Sequence, residues 1–343
     1  MTDGLSDKQR HNWNRGLGCV LGAALGDATG GVAFDEFGEF GMATQLSVLE
    51  ARGLIEAECQ LEASRPIIYD LFQEWIARSS SPEPTFAAAL RDPRGLNGAA
   101  ERALGGREDG MRDNSCITRS SFAAVRHRTD SPVVGRADIP RRLGSITHGD
   151  VAATEARVAL HCLIRSQLRD PPPGFEDKHM TVRMHWLARE YKVQALSLIR
   201  GEEHVESPNS EAWGCLQDAV KAVRDTDNFE DCIRTALDFE GDTRAVATVA
   251  GAIAGMRYGA DSIPTQWVEQ LRGTVLGVPY DAGSLGDLLR ELLNVPAEAT
   301  PQDLMHEILI AYDAGEELSD AQRRWFERFE ADVRHQFPPN GGQ

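Results

Sequence analysis

The apolar and small residues of this chain recur mostly at helical spacing. The clearest example is segment 241–259, where Ala247, Gly251, Ala254 and Gly255 fall near one stripe of a helix with 3.6 residues per turn. Glycine within a helix costs roughly 1 kcal/mol relative to alanine, so a stripe of small residues needs a reason in packing. The pattern predicts a central helix against which another backbone packs closely.

The N-terminal segment has the same character. Residues 8–30 show an apolar face at helical spacing, interrupted by Gly16, Gly18, Gly22 and Gly26. The glycine spacing differs from that of a dinucleotide-binding fingerprint, and no strand pattern precedes it. Close helix packing explains these glycines better, so the segment is predicted to be a helix that ends in a turn.

Periodic segments along the rest of the chain also predict helices. Their expected bounds are 42–57, 67–78, 85–90, 98–104, 139–146, 151–168, 182–198, 212–223, 229–237, 267–271, 285–293, 301–314 and 319–335. Segment 114–125 is expected to be a loop that enters a helix. We find no strand pattern of any length and no internal repeat. The predicted fold class is therefore all-α, a compact bundle of many helices.

Composition and charge narrow the classes of partner. The 343 residues include 36 Lys or Arg and 53 Asp or Glu, which gives a formal net charge of −17. A chain this acidic is not expected to bind nucleic acid through its global field. No apolar run approaches about 18 residues, and the N-terminus lacks the apolar core of a signal peptide, so no contact with a membrane is predicted.

The cysteines indicate a reducing compartment. All six are widely scattered and no C-x-x-C pair occurs, which argues against a zinc ribbon and against a disulfide framework. Several lie among apolar residues, as buried thiols do. We therefore expect a cytoplasmic protein.

Polar residues stand at the starts of two predicted helices. Asp242 and Thr243 precede the central helix, where a carboxylate and a hydroxyl face free backbone N–H groups. They form either an ordinary N-cap or a ligand-binding helix N-terminus. His148 and Asp150 precede the helix 151–168, where Asp150 is a candidate cap and His148 is either structural or a ligand contact.

Three further polar positions are candidate site residues. Asp27 follows a glycine at the end of the first helix, where it is placed to cap, to form a turn or to contact a ligand. Segment 114–121 is polar but has a half-buried pattern, with Asn114 and Arg119 expected to point inward. The alternative is an ordinary asparagine cap and a surface arginine. No nucleophile elbow, H-E-x-x-H motif or P-loop is present.

Four segments resemble the ADP-ribosylglycohydrolase family, of the dinitrogenase reductase-activating glycohydrolase type. They occur in the family's order: Gly-Ala-Ala-Leu-Gly-Asp-Ala-Thr-Gly at 22–30, the loop 114–119, Ile-Thr-His at 146–148, and segment 241–267. The last is the most specific, with Gly-Asp-Thr at its start, Ala-Gly-Ala-Ile-Ala-Gly in its middle and Ile-Pro-x-x-Trp at its end.

The resemblance covers roughly residues 15–272, and it implies the domain organisation and the family chemistry. We expect a glycohydrolase-like helical domain at 8–272, with a helical extension at 273–337 packed on it. The family resemblance implies a cleft for ADP-ribose, in which two Mg²⁺ ions assist removal of ADP-ribose from a side chain or a small molecule. The metal ligands of the family come from a T-D-D-T motif and a D-x-D-T motif, whose carboxylates suit hard cations.

This chain departs from both metal motifs. Gly41, Met42 and Ala43 stand where T-D-D is expected, and only the following Thr44 matches. The second motif reads Asp-Thr-Arg-Ala from residue 242, so Asp242 is the only ligand carboxylate that remains. Methionine and alanine side chains offer no oxygen to Mg²⁺. We therefore predict no metal cofactor.

Arg244 offers an alternative to the metals. A guanidinium at this position is expected to neutralise Asp242 and to face a diphosphate, since arginine binds phosphate oxygens bidentately. With the family pattern as guide, Asp27 and Asp242 are the candidate catalytic residues. The candidate ligand-binding residues are Thr44, Asn114, Arg119, His148, Asp150, Thr243 and Arg244.

Three hypotheses for function follow. In the first, the protein binds ADP-ribose, a related nucleotide or a partner protein through its glycohydrolase fold, without the two Mg²⁺ ions and without catalysis. In the second, it is a metal-independent hydrolase of an N-glycosidic bond in an ADP-ribosylated or NAD-derived substrate, with Asp27 or Asp242 as base. In the third, it has a structural role and binds a protein partner through its acidic surface or its C-terminal helices.

Overall fold

Helices form most of the part of the chain that the structure, a computed structural model, describes. The described residues are 6–29, 38–79, 84–91, 95–96, 112–126, 138–168, 172, 187–201 and 207–294. In chain order the helices are α1 (Asp7–Ala28), α2 (Met42–Glu56), α3 (Leu61–Arg78), α4 (Pro84–Leu90), α5 (Ser115–Thr118), α6 (Ser121–Arg126), α7 (Asp138–Gly144), α8 (Val151–Ser166), α9 (Arg189–Arg200), α10 (Ala212–Arg224), α11 (Phe229–Leu237), α12 (Thr243–Tyr258), α13 (Thr265–Gln270) and α14 (Ala282–Asn294). The predicted all-α fold class is confirmed.

Two helices cross backbone to backbone at the centre of the fold. The contacts are made by three pairs of small residues: Gly18 with Gly255, Gly22 with Gly251, and Gly26 with Ala247. A Cβ atom built on any of these glycines would lie closer than 3.0 Å to the backbone of the other helix. α1 and α12 therefore pack so closely that no larger residue fits at these positions, which explains the stripes of small residues.

The central helix is enclosed on all sides. Residues 245–256 of α12 are all buried, which agrees with a sequence that is apolar around most of the helix. Helices α10 and α11 also pack on α12, whereas α2 and α14 pack on α1. The first turn of α12 lies at the edge of this core, and the polar residues near it belong to loops and helix ends.

A pair of loops crosses near the first turn of α12. The segment before α5 and the segment before α10 run antiparallel: Asn114 N–H donates to the carbonyl of Ser210 at 3.0 Å, and Ala212 N–H donates to that of Arg112 at 2.9 Å. Residues 113 and 211 form an isolated bridge between them. This pairing holds residues 113–115 in a fixed place beside α12.

One hairpin is present that the sequence pattern did not predict. Strands β1 (Arg272–Val275) and β2 (Val278–Asp281) pair antiparallel and are joined by a turn in which Leu276 and Gly277 both have positive φ. Such a two-residue turn matches the twist of a hairpin. The expectation of no strand was wrong here because four-residue strands are too short to establish a period and leucine is a rare residue at positive φ.

Most helix bounds agree with the periodic pattern to within a few residues, with three differences. α3 begins at Leu61 rather than at 67, although Pro66 in its second turn has no N–H to donate to the carbonyl of Glu62. The segment 114–125, expected to be a loop that enters a helix, forms the two short helices α5 and α6, with Arg119 at the end of α5. The helix predicted at 182–198 begins at Arg189, and residues 187 and 188 are not helical. The predicted helices 98–104, 301–314 and 319–335, and residues 182–186, lie outside the described residues.

All described residues belong to one compact unit, which comprises Met1–Arg128 and Gly135–Pro296. The hairpin and α14 are part of this unit. The predicted division into 8–272 and 273–337 stays a prediction, because residues 295–343 lie outside the described part. Among the helices that are described, none is long and apolar enough to cross a membrane.

Candidate functional site

A polar cleft of about 310 Å³ lies at the start of α12. It is lined by the end of α1, the start of α2, the loop and short helix at 113–118, Ser210 and the first turns of α12. The lining residues are Asp27, Met42, Ala43, Leu46, Asp113, Asn114, Ser115, Thr118, Ser210, Asp242, Arg244, Ala245 and Thr248. The cleft therefore brings four of the candidate residues together: Asp27, Asn114, Asp242 and Arg244.

Asp27 joins the end of α1 to the start of α2. Its Oδ2 accepts hydrogen bonds from the backbone N–H of Gly41 at 2.8 Å and of Thr44 at 2.9 Å, so it caps the N-terminus of α2. Its Oδ1 accepts a hydrogen bond from Arg244 Nε at 3.0 Å. The expectation that Arg244 neutralises Asp242 was wrong, because its ion pair is with Asp27. Thr44 is buried and is not a lining residue. Its hydroxyl has no hydrogen-bond partner among the described residues.

Arg244 lies next to Gly41, the first residue at which the chain departs from the T-D-D-T motif of the family. Its Nε also donates to the backbone carbonyl of Asp27 at 2.6 Å. A Cβ atom on Gly41 would lie closer than 3.0 Å to Nη2 and Cζ of Arg244. The two departures are thus neighbours in space, because the missing side chain at Gly41 leaves the room that the guanidinium occupies.

Asp242 acts as the N-cap of α12 and also lines the cleft. Its Oδ1 accepts a hydrogen bond from Ala245 N–H at 3.1 Å, and its Oδ2 accepts one from Asn114 Nδ2 at 2.8 Å. The second hydrogen of the same amide goes to the carbonyl of Asn209 at 2.8 Å. Thr243 is the first residue of α12 and is not among the lining residues.

Asp113 is a lining residue that sequence reasoning missed. Its Oδ1 accepts a hydrogen bond from Ser115 N–H at 2.8 Å, and its Oδ2 lies 3.0 Å from His148 Nε2. Burial alone would raise the pKa of Asp113, but the charge of His148 and the hydrogen bonds from His148 and Ser115 lower it well below its usual range. No local pattern relates an aspartate to a histidine 35 residues later, so the pair is visible only in the folded chain.

His148 lies behind Asp113 and is buried. Its Nδ1 is 2.8 Å from Oγ1 of Thr147, and that oxygen accepts a hydrogen bond from Arg119 Nη2, also at 2.8 Å. Arg119 has no exposed side-chain surface, and it pairs with the buried Glu50 at 3.6 Å. His148 and Arg119 therefore support the cleft from behind and do not line it.

A second arginine completes this buried group. Glu50 also pairs with Arg157, so one carboxylate lies between two guanidinium groups that have no contact with solvent. Burial and the charge of Arg157 lower the pKa of Arg119, and Glu50 opposes this effect. Removal of the carboxylate would leave two buried positive charges without compensation.

The hydrogen-bond contacts of Asp150, a further candidate residue, lie outside the cleft. Its Oδ1 accepts a hydrogen bond from Ala152 N–H at 2.7 Å, which makes it the N-cap of α8. Its Oδ2 pairs with Arg112 Nε at 3.0 Å. It is not a lining residue, so any effect on a ligand would pass through the loop that carries Arg112 and Asp113.

The cleft does not present the ligand set that a pair of Mg²⁺ ions requires. Mg²⁺ prefers six oxygen ligands in octahedral geometry. Met42 and Ala43 contribute none, and the oxygens of Asp27 and Asp242 already accept hydrogen bonds from N–H groups. Within the described residues, no group of three or more His, Cys, Asp or Glu side chains is arranged to hold a metal ion. A metal-free cleft nevertheless stays a prediction.

Among the described residues, the fold is all-α apart from one short hairpin, and its cleft lies at the N-terminus of the central helix. A sequence model of the ADP-ribosylglycohydrolase family matches residues 7–304. The chain therefore belongs to the ADP-ribosylglycohydrolase family. A solved structure described as an ADP-ribosylglycohydrolase-related protein complex has the same fold, with a TM-score of 0.62 and 20% identity over 83% of this chain and 99% of that one.

Two curated relatives share a shorter region with this chain. Both are named ADP-ribosylarginine hydrolase Tri1. The protein from Pseudomonas putida (strain GB-1) is 34% identical over 84 residues, and that from Serratia proteamaculans (strain 568) is 37% identical over 84 residues. In both cases the match covers 24% of this chain and 21% of the relative. The chain thus aligns with about a fifth of the length of these relatives.

Proposed function

We propose that this protein binds ADP-ribose or a related ribosyl nucleotide in the cleft at the start of α12, without the two Mg²⁺ ions of its family and without catalysis. The observation that carries the proposal is the position of Arg244. Its guanidinium is held on Asp27 beside Gly41, and of the carboxylates expected from the two family metal motifs only Asp242 remains. We infer that this fixed positive charge replaces the cations of the family.

The chemistry of Arg244 supports a phosphate ligand. Its Nε is committed to Asp27, whereas the side chain keeps 41% of its surface exposed and lines the cleft. The terminal guanidinium nitrogens are therefore available to phosphate oxygens, which arginine binds through paired hydrogen bonds. The carboxylate of Asp27 fixes the orientation of the group before a ligand arrives.

The curated relatives suggest which ligand to test first. Both are named as hydrolases of ADP-ribosylarginine, so an ADP-ribosylated arginine side chain on a protein partner is a natural candidate beside free ADP-ribose. A cytoplasmic location fits this proposal, since all six cysteines are free thiols.

A thermal unfolding assay with ADP-ribose tests the proposal. We expect the ligand to stabilise the protein equally with Mg²⁺ and with EDTA, by about 2.7 kcal/mol at ~100 times its Kd. Arg244→Met is expected to abolish most of the stabilisation, whereas Arg234→Met, on the exposed surface of α11, is the matched control. Stabilisation that requires Mg²⁺ would overturn the metal-free site, and no stabilisation in either buffer would overturn ADP-ribose binding.

The second candidate is a metal-independent hydrolase. It is supported by the position of Asp27 and Asp242 on the lining of the cleft, within reach of a bound ligand. Cleavage of a glycosidic bond normally needs a carboxyl group near the anomeric carbon. Release of ADP-ribose from ADP-ribosylated arginine in EDTA, lost in Asp242→Asn, would establish this activity. If ADP-ribose binds and no ADP-ribose is released from the substrate, the protein is a binding protein without this activity.

A further inference from the structure

A buried asparagine outside the cleft joins three of the segments that build it. Asn209 lies in the loop before α10, and it is not a lining residue although the next residue, Ser210, is one. The loops 112–114, 207–211 and 240–242 meet at Asn209, and each of them contributes to the lining of the cleft. The contacts of this one residue therefore affect the shape of the cleft from outside it.

The side chain of Asn209 holds the turn before α12. Its Oδ1 accepts a hydrogen bond from Asp242 N–H at 2.8 Å, and its Nδ2 donates to the carbonyl of Glu240 at 2.6 Å. Nδ2 also donates to Asp218 Oδ2 on α10, at 3.0 Å. These partners fix the orientation of the amide, because a flipped amide would place its oxygen against two acceptors and its NH₂ group against a donor.

The turn itself is shaped to receive this amide. Gly241, between Glu240 and Asp242, has a φ of +90°, which residues with a side chain rarely adopt. A Cβ atom at Gly241 would also lie 2.4 Å from Oδ1 of Asn209. Glycine is thus required both by the backbone and by the approach of the amide. The result is a turn that delivers Asp242 to the N-cap of α12 in one position.

The backbone of Asn209 holds a second lining residue. Its carbonyl accepts a hydrogen bond from Asn114 Nδ2 at 2.8 Å, and the same amide group donates to Asp242 Oδ2, also at 2.8 Å. The loop that carries Asn209 rests directly on α10, since a Cβ atom at Gly214 would lie 2.3 Å from the carbonyl oxygen of Pro208. Asn209 therefore ties two lining side chains to the frame of α10.

We propose that Asn209 is a positioning residue, which sets Asp242 and Asn114 in place for a ligand without contacting the ligand itself. For its effect on binding, this inference rests on the proposed function. Residues that contact a ligand keep a productive geometry when hydrogen bonds from behind lock their orientation. Among side chains of this length, an amide combines an acceptor for the Asp242 N–H with two donors, whereas aspartate only accepts and serine has one hydrogen to donate.

Calorimetric titration of the full chain with ADP-ribose, combined with urea unfolding, tests this role. We expect Asn209→Ala to weaken binding about tenfold, as the loss of an outer hydrogen-bond partner does at preorganised sites. Asn228→Ala is the matched control, because Asn228 is the exposed N-cap of α11 and accepts a hydrogen bond from Asp231 N–H at 2.9 Å. The control is expected to lower stability and to keep the affinity. If Asn209→Ala also lowers stability and keeps the affinity, its role is only structural and the inference is overturned.

An exchange of the side chains at 209 and 218 tests the role by rescue. Asn209→Asp alone places a carboxylate against Asp218 and against the carbonyl of Glu240, and it is expected to weaken binding by about tenfold or more. Addition of Asp218→Asn restores one pair of donor and acceptor in the reverse direction. We expect this double variant to recover an affinity within about threefold of wild type. A double variant that binds no better than Asn209→Asp overturns the inference.

Amide hydrogen exchange without ligand distinguishes this inference from the proposed function. The Asp242 N–H is expected to be protected in the wild type, and Asn209→Ala is expected to raise its exchange about tenfold and to leave that of Asp231 unchanged. Asn228→Ala is expected to do the reverse.

The wild-type protein alone already gives a result that can overturn either idea. If ADP-ribose does not bind and the exchange pattern is as expected, the proposed function fails and Asn209 stands as the residue that positions the cleft. If ADP-ribose binds and the Asp242 N–H is unprotected, the inference fails and the proposed function stands. If ADP-ribose does not bind and the Asp242 N–H is unprotected, both are overturned.

Discussion

At the scale of residues, the cleft depends on buried charged groups that do not touch it. A fully buried ion network consists of Glu50 between Arg119 and Arg157. Arg119 also donates a hydrogen bond to Thr147, whose hydroxyl contacts the histidine behind Asp113. Buried ion networks rarely stabilise a fold more than apolar residues of the same volume would. Here the network has a geometric use, since it supports the side chains that hold the Asp113 carboxylate in the cleft.

The low pKa of Asp113 predicts a dependence of stability on acid. Because its pKa in the folded protein is below the ordinary value of 3.8, its ionised form stabilises the fold above that value. This contribution is lost as the pH falls through the folded pKa. We expect the difference in unfolding free energy between wild type and Asp113→Asn to be constant above about pH 5 and to shrink progressively as the pH falls below about 4.

Urea unfolding at a series of pH values measures this difference. Asp225→Asn, on the surface, serves as the control, and its difference from wild type should not vary with pH in the same way. A constant difference for Asp113→Asn would mean that the carboxylate has the same pKa in the folded and unfolded chains.

At the scale of elements, the crossing of α1 and α12 positions the cleft. Asp27 at the end of α1 reaches Arg244 in the first turn of α12 because the two helices pack with their backbones in contact. The helical periodicity and the glycine stripes predicted both helices and their close packing. They did not predict which glycine faces which, since a stripe defines a face of a helix and not its partner.

Gly22→Ala tests this crossing. A Cβ atom at Gly22 would lie closer than 3.0 Å to the backbone of Gly251, so the helices must move apart. We expect a loss of about 1–3 kcal/mol in unfolding free energy or more, together with weaker ligand binding, because the cleft spans both helices. Thermal unfolding and calorimetry measure the two effects.

Gly283→Ala is the matched control. Gly283 lies in the first turn of α14, and a Cβ atom there would be in ordinary contact, at 3.4 Å, with Asp281. Alanine is expected to be neutral or slightly stabilising at this position. Equal effects of the two substitutions would show that backbone contact at Gly22 is not what limits the size of the residue.

At the scale of the whole molecule, the cleft is built within one compact unit that ends at Pro296. The hairpin and α14 belong to this unit. Leu285, Leu289 and Leu292 of α14 are fully buried, and Phe40 N–H, next to the start of α2, donates to the carbonyl of Arg272 at 3.0 Å. The family resemblance alone placed the end of the domain earlier, at residue 272.

Two truncated chains decide between these boundaries. A chain of residues 1–296 is expected to unfold cooperatively and to bind the same ligands as the full chain, because every lining residue is retained. A chain of residues 1–272 is expected to be unstable, since it exposes the surface that α14 covers on α1 and α2. Circular dichroism and calorimetry measure both, and a stable 1–272 chain would support the earlier boundary.

The sequence by itself determined the local features of this protein. Periodicity predicted the helices, small residues predicted close packing, and the departures from the family motifs identified Arg244 as an unusual residue. These features depend on residues within one or two helical turns of each other or on a motif of fixed spacing. The hairpin was not predicted because its strands are too short to show a period.

Only the tertiary structure decided which of the polar residues meet. It paired Arg244 with Asp27 across 217 positions, and it placed His148 behind Asp113 rather than in the cleft. Arg119 points inward, as the pattern of segment 114–121 predicted, but it is buried behind the cleft and does not line it. Contacts across such distances in sequence arise from the packing of whole helices, and no local pattern of residues specifies them.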